Sequence, residues 1–427
     1  MPFCKRAVSN RTILKARIPV CVAFASLCGF SAQAQESIRP SSTGALSAAT
    51  RRAVPEKTHY NLKAGPVTMD LTAGVDVEFN DNIGISEKNR QSDFIFRPQL
   101  HLDTEWRITR LNNMRLSLGM GFAKYANHSE LDTRSILLDP GSELQFDLYV
   151  GGNLRLNIHD RFAIVQNPVD DPTLSNTAHF DRFQNSAGIT AFWDLNDLKF
   201  TFGYDHFTYR SLGKQFNFLD RAEEQFVGSA ALRMSDSLTV GLDASFALVS
   251  YKQQLNNNGK SYSIGPFVEA ILSDYTRVRV SGGYQGMNFD GNGTNGDTAN
   301  FSGFYTNLSL SQRLSQYISH SFNFGHEARL GLTVNFAEYT YARYIADWRM
   351  NSRMNVGFEA FCEDANESAD ALHSEHSFRW GASGSLSYKL GPKTTAALRY
   401  HYVNKNSDLD LRDYYQNIVN LSVSHDF

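Results

Sequence analysis

The residues that could do chemistry in this 427-residue chain are charged side chains at alternate positions. Asp70, Asp76 and Glu78 stand between apolar neighbours, as do Arg97, Asp103, Glu105 and Arg107. Arg115, Glu143, Asp147, Arg155, Asp205, Asp243, Glu269, Arg277, Arg279, Arg353, Glu359, Arg379 and Arg399 recur in the same setting. Both signs are present in similar number. Such a set can neutralise itself in ion pairs, or offer a polar lining to a solute. It does not make a reaction centre, which needs a nucleophile, a base and a group that orients the base.

Other motifs fail on spacing. No G-x-S-x-G elbow is present. Gly291, Gly293 and Gly296 match G-x-G-x-x-G, but no helix pattern follows, so they read as a loop. Asp290–Asp297 has the Asp, Asn and Gly of a calcium loop, yet Thr294 and Asn295 stand where a ligand and the turn glycine belong. His373, Glu375 and His376 are close, but H-x-x-H with one carboxylate reads as a solvated loop. Barrel proteases use rim Asp and His, residues too common here to single out a site. No catalytic, cofactor or metal site is expected.

The elements that would position these charges follow from composition and period. Net charge is -3, which gives no basic face for nucleic acid. Mean hydropathy is mildly negative, yet aromatics reach 12%. A disordered chain lacks aromatics. A helical membrane protein needs apolar runs of about 20 residues, and none lies beyond the N-terminus. Strands with one apolar and one polar face satisfy both facts.

The first 34 residues read as a secretory signal. Lys5, Arg6, Arg11, Lys15 and Arg17 form its basic region, Ile18 to Phe30 its apolar region, and Ala32-Gln33-Ala34 its cleavage site. Cleavage after Ala34 removes Cys4, Cys21 and Cys28, leaving Cys362 alone and no internal disulfide. Residues 35–66 lack a lasting period and read as a periplasmic linker.

From Val67 the chain alternates. Val67, Met69, Leu71, Ala73, Val75, Val77 and Phe79 face one way, and Thr68, Asp70, Thr72, Gly74, Asp76 and Glu78 the other. Similar runs surround Leu144–Ile158, Leu238–Leu248 and Phe378–Lys389. Short turns are expected near Asn112-Asn113, His159-Asp160, Asn196-Asp197, Ser235-Asp236, Ser273-Asp274 and Gly391-Pro392. Longer loops are expected between them, near residues 81–92, 127–141, 168–181, 211–222, 253–260, 290–299, 364–372 and 405–411. Short turns at one end and long loops at the other are the outer-membrane arrangement. The fold class is therefore an all-β, antiparallel up-and-down transmembrane barrel spanning residues 67–427. We count about 18 strands; 16 remains open because alternation breaks over Leu330–Met350. Trp106, Trp193, Tyr204, Tyr209, Tyr251, Tyr284, Tyr388, Tyr400 and Tyr402 lie toward strand ends, as interfacial girdles would.

The last strand places Val419, Leu421, Val423, His425 and Phe427 outward, opposite Asn420, Ser422, Ser424 and Asp426. The terminal Phe resembles the signal read by the barrel assembly machinery, a partner this strand implies. His425 departs from the usual Tyr or aliphatic residue there.

Glu78-Phe79-Asn80-Asp81-Asn82-Ile83, followed by Ser92-Asp93-Phe94-Ile95 and Arg97-Pro98, resembles the opening hairpin of the β-barrel porin and exopolysaccharide-associated family of outer-membrane barrels. Asn185-Ser186-Ala187-Gly188, Gly203-Tyr204-Asp205 and Asp413-Tyr414-Tyr415-Gln416-Asn417 are similar too. The likeness spans Leu71 to Phe427. It implies a passive conduit associated with polysaccharide export, with outer-membrane lipid and polysaccharide or export proteins as partners, and it supplies no catalytic residues. Charges cannot face lipid cheaply, since a midplane Arg or Lys costs about 2–4 kcal/mol, so they should line the interior. About 18 strands leave an interior too wide for side chains to fill, which favours a wet pore. The alternatives are a docking barrel with a plugged lumen, or a barrel hydrolase. Inward Tyr149, Phe192, Phe207, Tyr209 and Phe267 could stack on sugar rings; spacers are the simpler reading.

Overall fold

The computed structural model describes residues 60–168, 173–368 and 374–427. The signal region, its cleavage site and most of the expected linker lie outside these residues, as does His373. Among the described residues no helix is long and apolar enough to cross a membrane; strands form the wall.

Alternation turns into eighteen long strands. They are β1 (Val67–Asn80), β2 (Asp93–Arg107), β3 (Asn113–Gly121), β4 (Glu143–Val150), β5 (Leu154–Val165) and β6 (Arg182–Leu195). Next come β7 (Leu198–Ser211), β8 (Arg221–Ser235), β9 (Leu238–Tyr251), β10 (Gly259–Ser273), β11 (Thr276–Phe289) and β12 (Phe301–Arg313). The last are β13 (Ile318–Leu330), β14 (Phe336–Arg349), β15 (Met354–Glu367), β16 (His376–Lys389), β17 (Thr394–Ser407) and β18 (Tyr414–Asp426). Each pairs antiparallel with the next, and β18 returns to β1 from Thr72↔Asp426 to Asn80↔Ile418. Closure leaves no free sheet edge, the condition for strands in lipid.

The two faces separate as the period requires. Phe96, Phe202, Leu242 and Leu421 are exposed on the outer wall. Asp147, Arg155, Asn157 and Gln285 are buried on the inner one. β3 and β4 are the shortest strands, at 9 and 8 residues. Leu137–Leu138 fills the gap above β4 by pairing with both β3 and β5.

Three details differ from the sequence reading. The turn expected at His159-Asp160 is inside β5; the chain reverses at residues 151–153, where Gly151 takes φ 70°, a conformation open to glycine at little cost. The last residues of the expected linker belong to the sheet: Leu62–Ala64 pairs with Val67–Met69. This covers the stretch of β1 that β18 is too short to reach. The region Leu330–Met350 holds the end of β13, the turn after it and the whole of β14. Its period is obscured because the β13–β14 hairpin leans inward, with Ala328 bonded through both N and O to the Gln285 side chain.

Candidate functional site: the lumen wall and its loop plug

The inner wall is built from cross-strand pairs, because inward side chains on neighbouring strands face each other. Arg97 meets Glu78 at 3.4 Å, and Gln99 donates to Asp76 at 2.6 Å. Arg107 meets Glu105 of its own strand at 3.3 Å, and Arg161 meets Glu143 across strands at 3.5 Å. Asn157 donates to Asp147 at 2.9 Å, with Arg155 3.7 Å away. Arg279 bridges Asp243 at 2.7 Å and Glu269 at 3.4 Å. Arg343 meets Glu359 at 3.4 Å, and Arg379 meets Glu363 at 2.6 Å. Arg399 lies within electrostatic reach of Asp76 and Glu359.

The remaining sequence candidates fall into three places. Asp70 and Asp103 face each other across β1 and β2, and Arg115 faces Glu105. Arg277 is lumen-facing but sits at the periplasmic end of β11. Arg353 is not on the wall. It occupies the turn before β15, where its N–H donates to the Asn351 side chain at 2.8 Å.

Inward aromatics carry arginines. The Arg155 guanidinium lies 4.3 Å from the Phe192 ring, Arg279 lies 4.0 Å from Phe267, and Arg221 lies 4.6 Å from Tyr209. Phe361 supports Arg343 at 5.7 Å and Arg379 at 5.5 Å. A guanidinium over a ring gains cation–π attraction and loses mobility. The ring faces are thereby occupied, which fits the spacer reading better than sugar platforms. Tyr209 and Tyr251, grouped by sequence with the girdle, instead point inward around Arg221. Trp106, Trp193, Tyr204, Tyr284, Tyr388 and Tyr400 are exposed on the outer wall as expected.

Above mid-height the loops fold inside. Ile85, Leu174, Phe180 and Leu219 come from three loops and pack with Ala163, Phe207, Tyr209, Val403 and Tyr414 from the wall. Leu332, Phe216, Phe218 and Phe361 pack against the same cluster. It joins β5 and β7 to β15, β17 and β18 through the barrel interior. Polar locks hold it. Ser175 Oγ donates to Arg412 O at 2.8 Å, and Asn176 Nδ2 donates to Leu411 O at 2.7 Å. Lys405 and Arg412 both reach Glu375, at 2.8 and 2.7 Å.

A second lock centres on Asp297. Its carboxylate accepts from the N–H groups of Asn335 and Ala299, each at 2.8 Å, and from the Ser368 hydroxyl. Asn257 Nδ2 bonds the Asn335 side chain and the Asp297 carbonyl, each at 2.8 Å. The Asp290–Asp297 loop is thus an asparagine-rich clasp whose carboxylate is held by N–H and O–H donors.

One inner-wall trio has the residues of a hydrolase but not the wiring. Ser186 Oγ donates to Asp205 at 3.1 Å, and His159 Nε2 lies 2.8 Å from the same carboxylate. The serine hydroxyl is bonded to the acid, where a triad would bond it to the imidazole.

A closed eighteen-strand wall with a polar bore is the arrangement of a porin. The family described as "Putative beta-barrel porin 2" matches residues 61–427. The chain belongs to this family. Its first matched residue, Asn61, is also where the sheet begins to be held. Among solved structures, OccK2 (OpdF) of Pseudomonas aeruginosa, in complex with glucuronate, is similar at TM-score 0.50 and 11% identity. That match covers 84% of this chain and 98% of the other. A BenF-like porin from Pseudomonas fluorescens Pf-5 is similar at TM-score 0.50 and 9% identity, covering 85% and 99%. At such identity the likeness is one of fold. A search of the curated proteins finds no match. The chain is a porin-like barrel of the outer membrane.

Sequence reasoning passed over several wall residues of this barrel. Arg343 lies on β14 and Glu363 on β15, and strict period-two counting along Phe336–Arg349 and Met354–Glu367 would have found them. Glu375, Lys405 and Arg412 carry no local signal, because their meeting depends on how two loops enter the lumen.

Proposed function

We propose that the barrel is a passive conduit for polar solutes across the outer membrane, serving polysaccharide export. The inner wall carries the reading: ion pairs and hydrogen bonds run from the periplasmic end to the loop plug, on a barrel too wide for its wall side chains to fill. The sequence likeness to exopolysaccharide-associated barrels supports the choice of solute. Export begins with a signal cleaved after Ala34, and assembly uses the terminal strand ending in Phe427. Planar-bilayer recording tests the conduit: stepwise conductance is expected, and an intact, folded barrel that passes no current overturns it.

A second reading has an observation of its own. The apolar cluster around Phe207, Leu219 and Val403 fills the extracellular half with loops. This supports a docking barrel whose loops engage partners and whose bore is permanently plugged. Conductance that stays absent even after the plug is weakened would favour it.

A further inference from the structure

The periplasmic rim is electrically lopsided. On the arc from β2 to β8, cations are matched by carboxylates. Arg107 pairs with Glu105 at 3.3 Å, Lys199 with Asp194 at 3.0 Å, and Arg233 with Asp197 at 2.8 Å. Arg110 and Asp236 balance the remainder. On the arc from β11 to β17 the balance fails. Arg277, Arg313, Arg349, Arg353, Lys389 and Lys393 lie there, against Asp274 and Asp347, with Asp426 of β18 beside Lys393 at the edge of the arc. None of the six makes an ion pair among the described residues. Only Arg313 has a ring beneath it, Tyr275 at 5.2 Å.

Placement gives this crescent a direction. Arg277, Arg313, Arg349 and Lys389 continue the inward-facing series of their strands, below Arg279, Ser311, Arg343 and Arg379. Arg353 and Lys393 sit in the turns beside them. Charges on the lip of the bore meet what enters it, whereas a folded partner would rest on the turn tips. Successive periplasmic turns are two strands apart, about 10 Å at ordinary strand spacing. Four turns in a row therefore present cations along an arc of about 30 Å. A small anion would touch one of them. An extended polyanion would touch several, releasing a counterion at each.

We propose that the β11–β17 rim is a recruiting site for a carboxylate-bearing glycan entering from the periplasm. This rests on the conduit reading, whose solute it makes anionic and polymeric. The crescent concentrates the chain at the mouth and orients it, and Arg343 and Arg399 stand higher on the same wall.

The test is equilibrium binding of a labelled oligogalacturonate to the full-length mature barrel, refolded in detergent and checked by its compact migration in SDS gels. The wild type should bind, more weakly as salt rises. The variant R277Q/R313Q/R349Q/R353Q should lose at least about tenfold in affinity and flatten the salt dependence. The variant K199Q/R233Q on the paired arc should match the wild type. Equal loss in both variants, or no loss in the first, overturns the site. Equal or tighter binding of a glutamate oligomer of the same charge overturns the glycan assignment in favour of an acidic polypeptide. Because binding is read without current, a barrel that binds but does not conduct sinks the conduit and leaves the site. A barrel that conducts but does not bind does the reverse.

Discussion

Lys405 and Glu375 meet at 2.8 Å with neither side chain reaching solvent. Arg412 closes on the second carboxylate oxygen at 2.7 Å, and the Ser407 hydroxyl donates to the first at 2.6 Å. One strand, one loop and the start of another strand are tied at a single carboxylate. A buried pair adds little against an apolar replacement, but stranding one partner is costly.

Glu375→Gln should therefore destabilise the barrel by about 3–5 kcal/mol, because the Lys405 ammonium is left buried without its counter-charge. The temperature at which the compact form disappears from SDS gels should fall clearly. The double variant K405M/E375L should recover part of the loss. A single variant as stable as the wild type would show that the pair contributes nothing.

Arg279 holds two carboxylates, Asp243 and Glu269, against the Phe267 ring. Arg279→Met leaves both negative charges on the lumen wall. In a salt gradient across a planar bilayer, the reversal potential should shift toward cation selectivity. A shift the other way, or none, would mean that permeating ions do not pass this wall.

Phe180 and Phe216 meet edge to face at 4.9 Å inside the plug. Truncating both to Ala removes apolar contact worth several kcal/mol at most sites of this kind. The loops should open more often, and mean conductance or open time should rise. Currents that stay absent with a weakened plug would point to the docking reading instead.

At the seam, Asn61 Nδ2 and the N–H of Phe427 both donate to Leu71 O, at 2.9 and 3.1 Å, and Asn61 accepts from Leu71 N at 3.1 Å. Asn61→Ala should cost about 1–3 kcal/mol by leaving Leu71 N–H short of a partner. The expected readout is faster hydrogen exchange at Leu71 and its neighbours. Protection equal to the wild type would place the clamp outside the closure.

The sequence by itself determined the wall. A period of two marks most of the strands, since one residue of slip would turn every charge of a strand toward lipid. Val67–Asn80 and its successors were legible, as was the alternate spacing of Asp76, Arg97, Asp243 and Arg279 within them. So was eighteen-fold closure, apart from the stretch where β13 and β14 lean inward. The turn after β4 was misplaced because Gly151 and Gly152 interrupt no apolar count, while His159-Asp160 mimics a turn within a strand.

Tertiary structure alone decided what fills the bore. Ile85, Leu174, Phe180 and Leu219 lie in loops, where no period marks which way an apolar side chain goes. Their burial depends on Phe207 and Val403 being brought to face them across the barrel, which only closure does. For the same reason Glu375 found Lys405 and Arg412, and the rim cations of β11–β17 make no ion pair among the described residues. Period is a local property of the chain, whereas pairing across a lumen depends on which strands the closed sheet sets opposite one another.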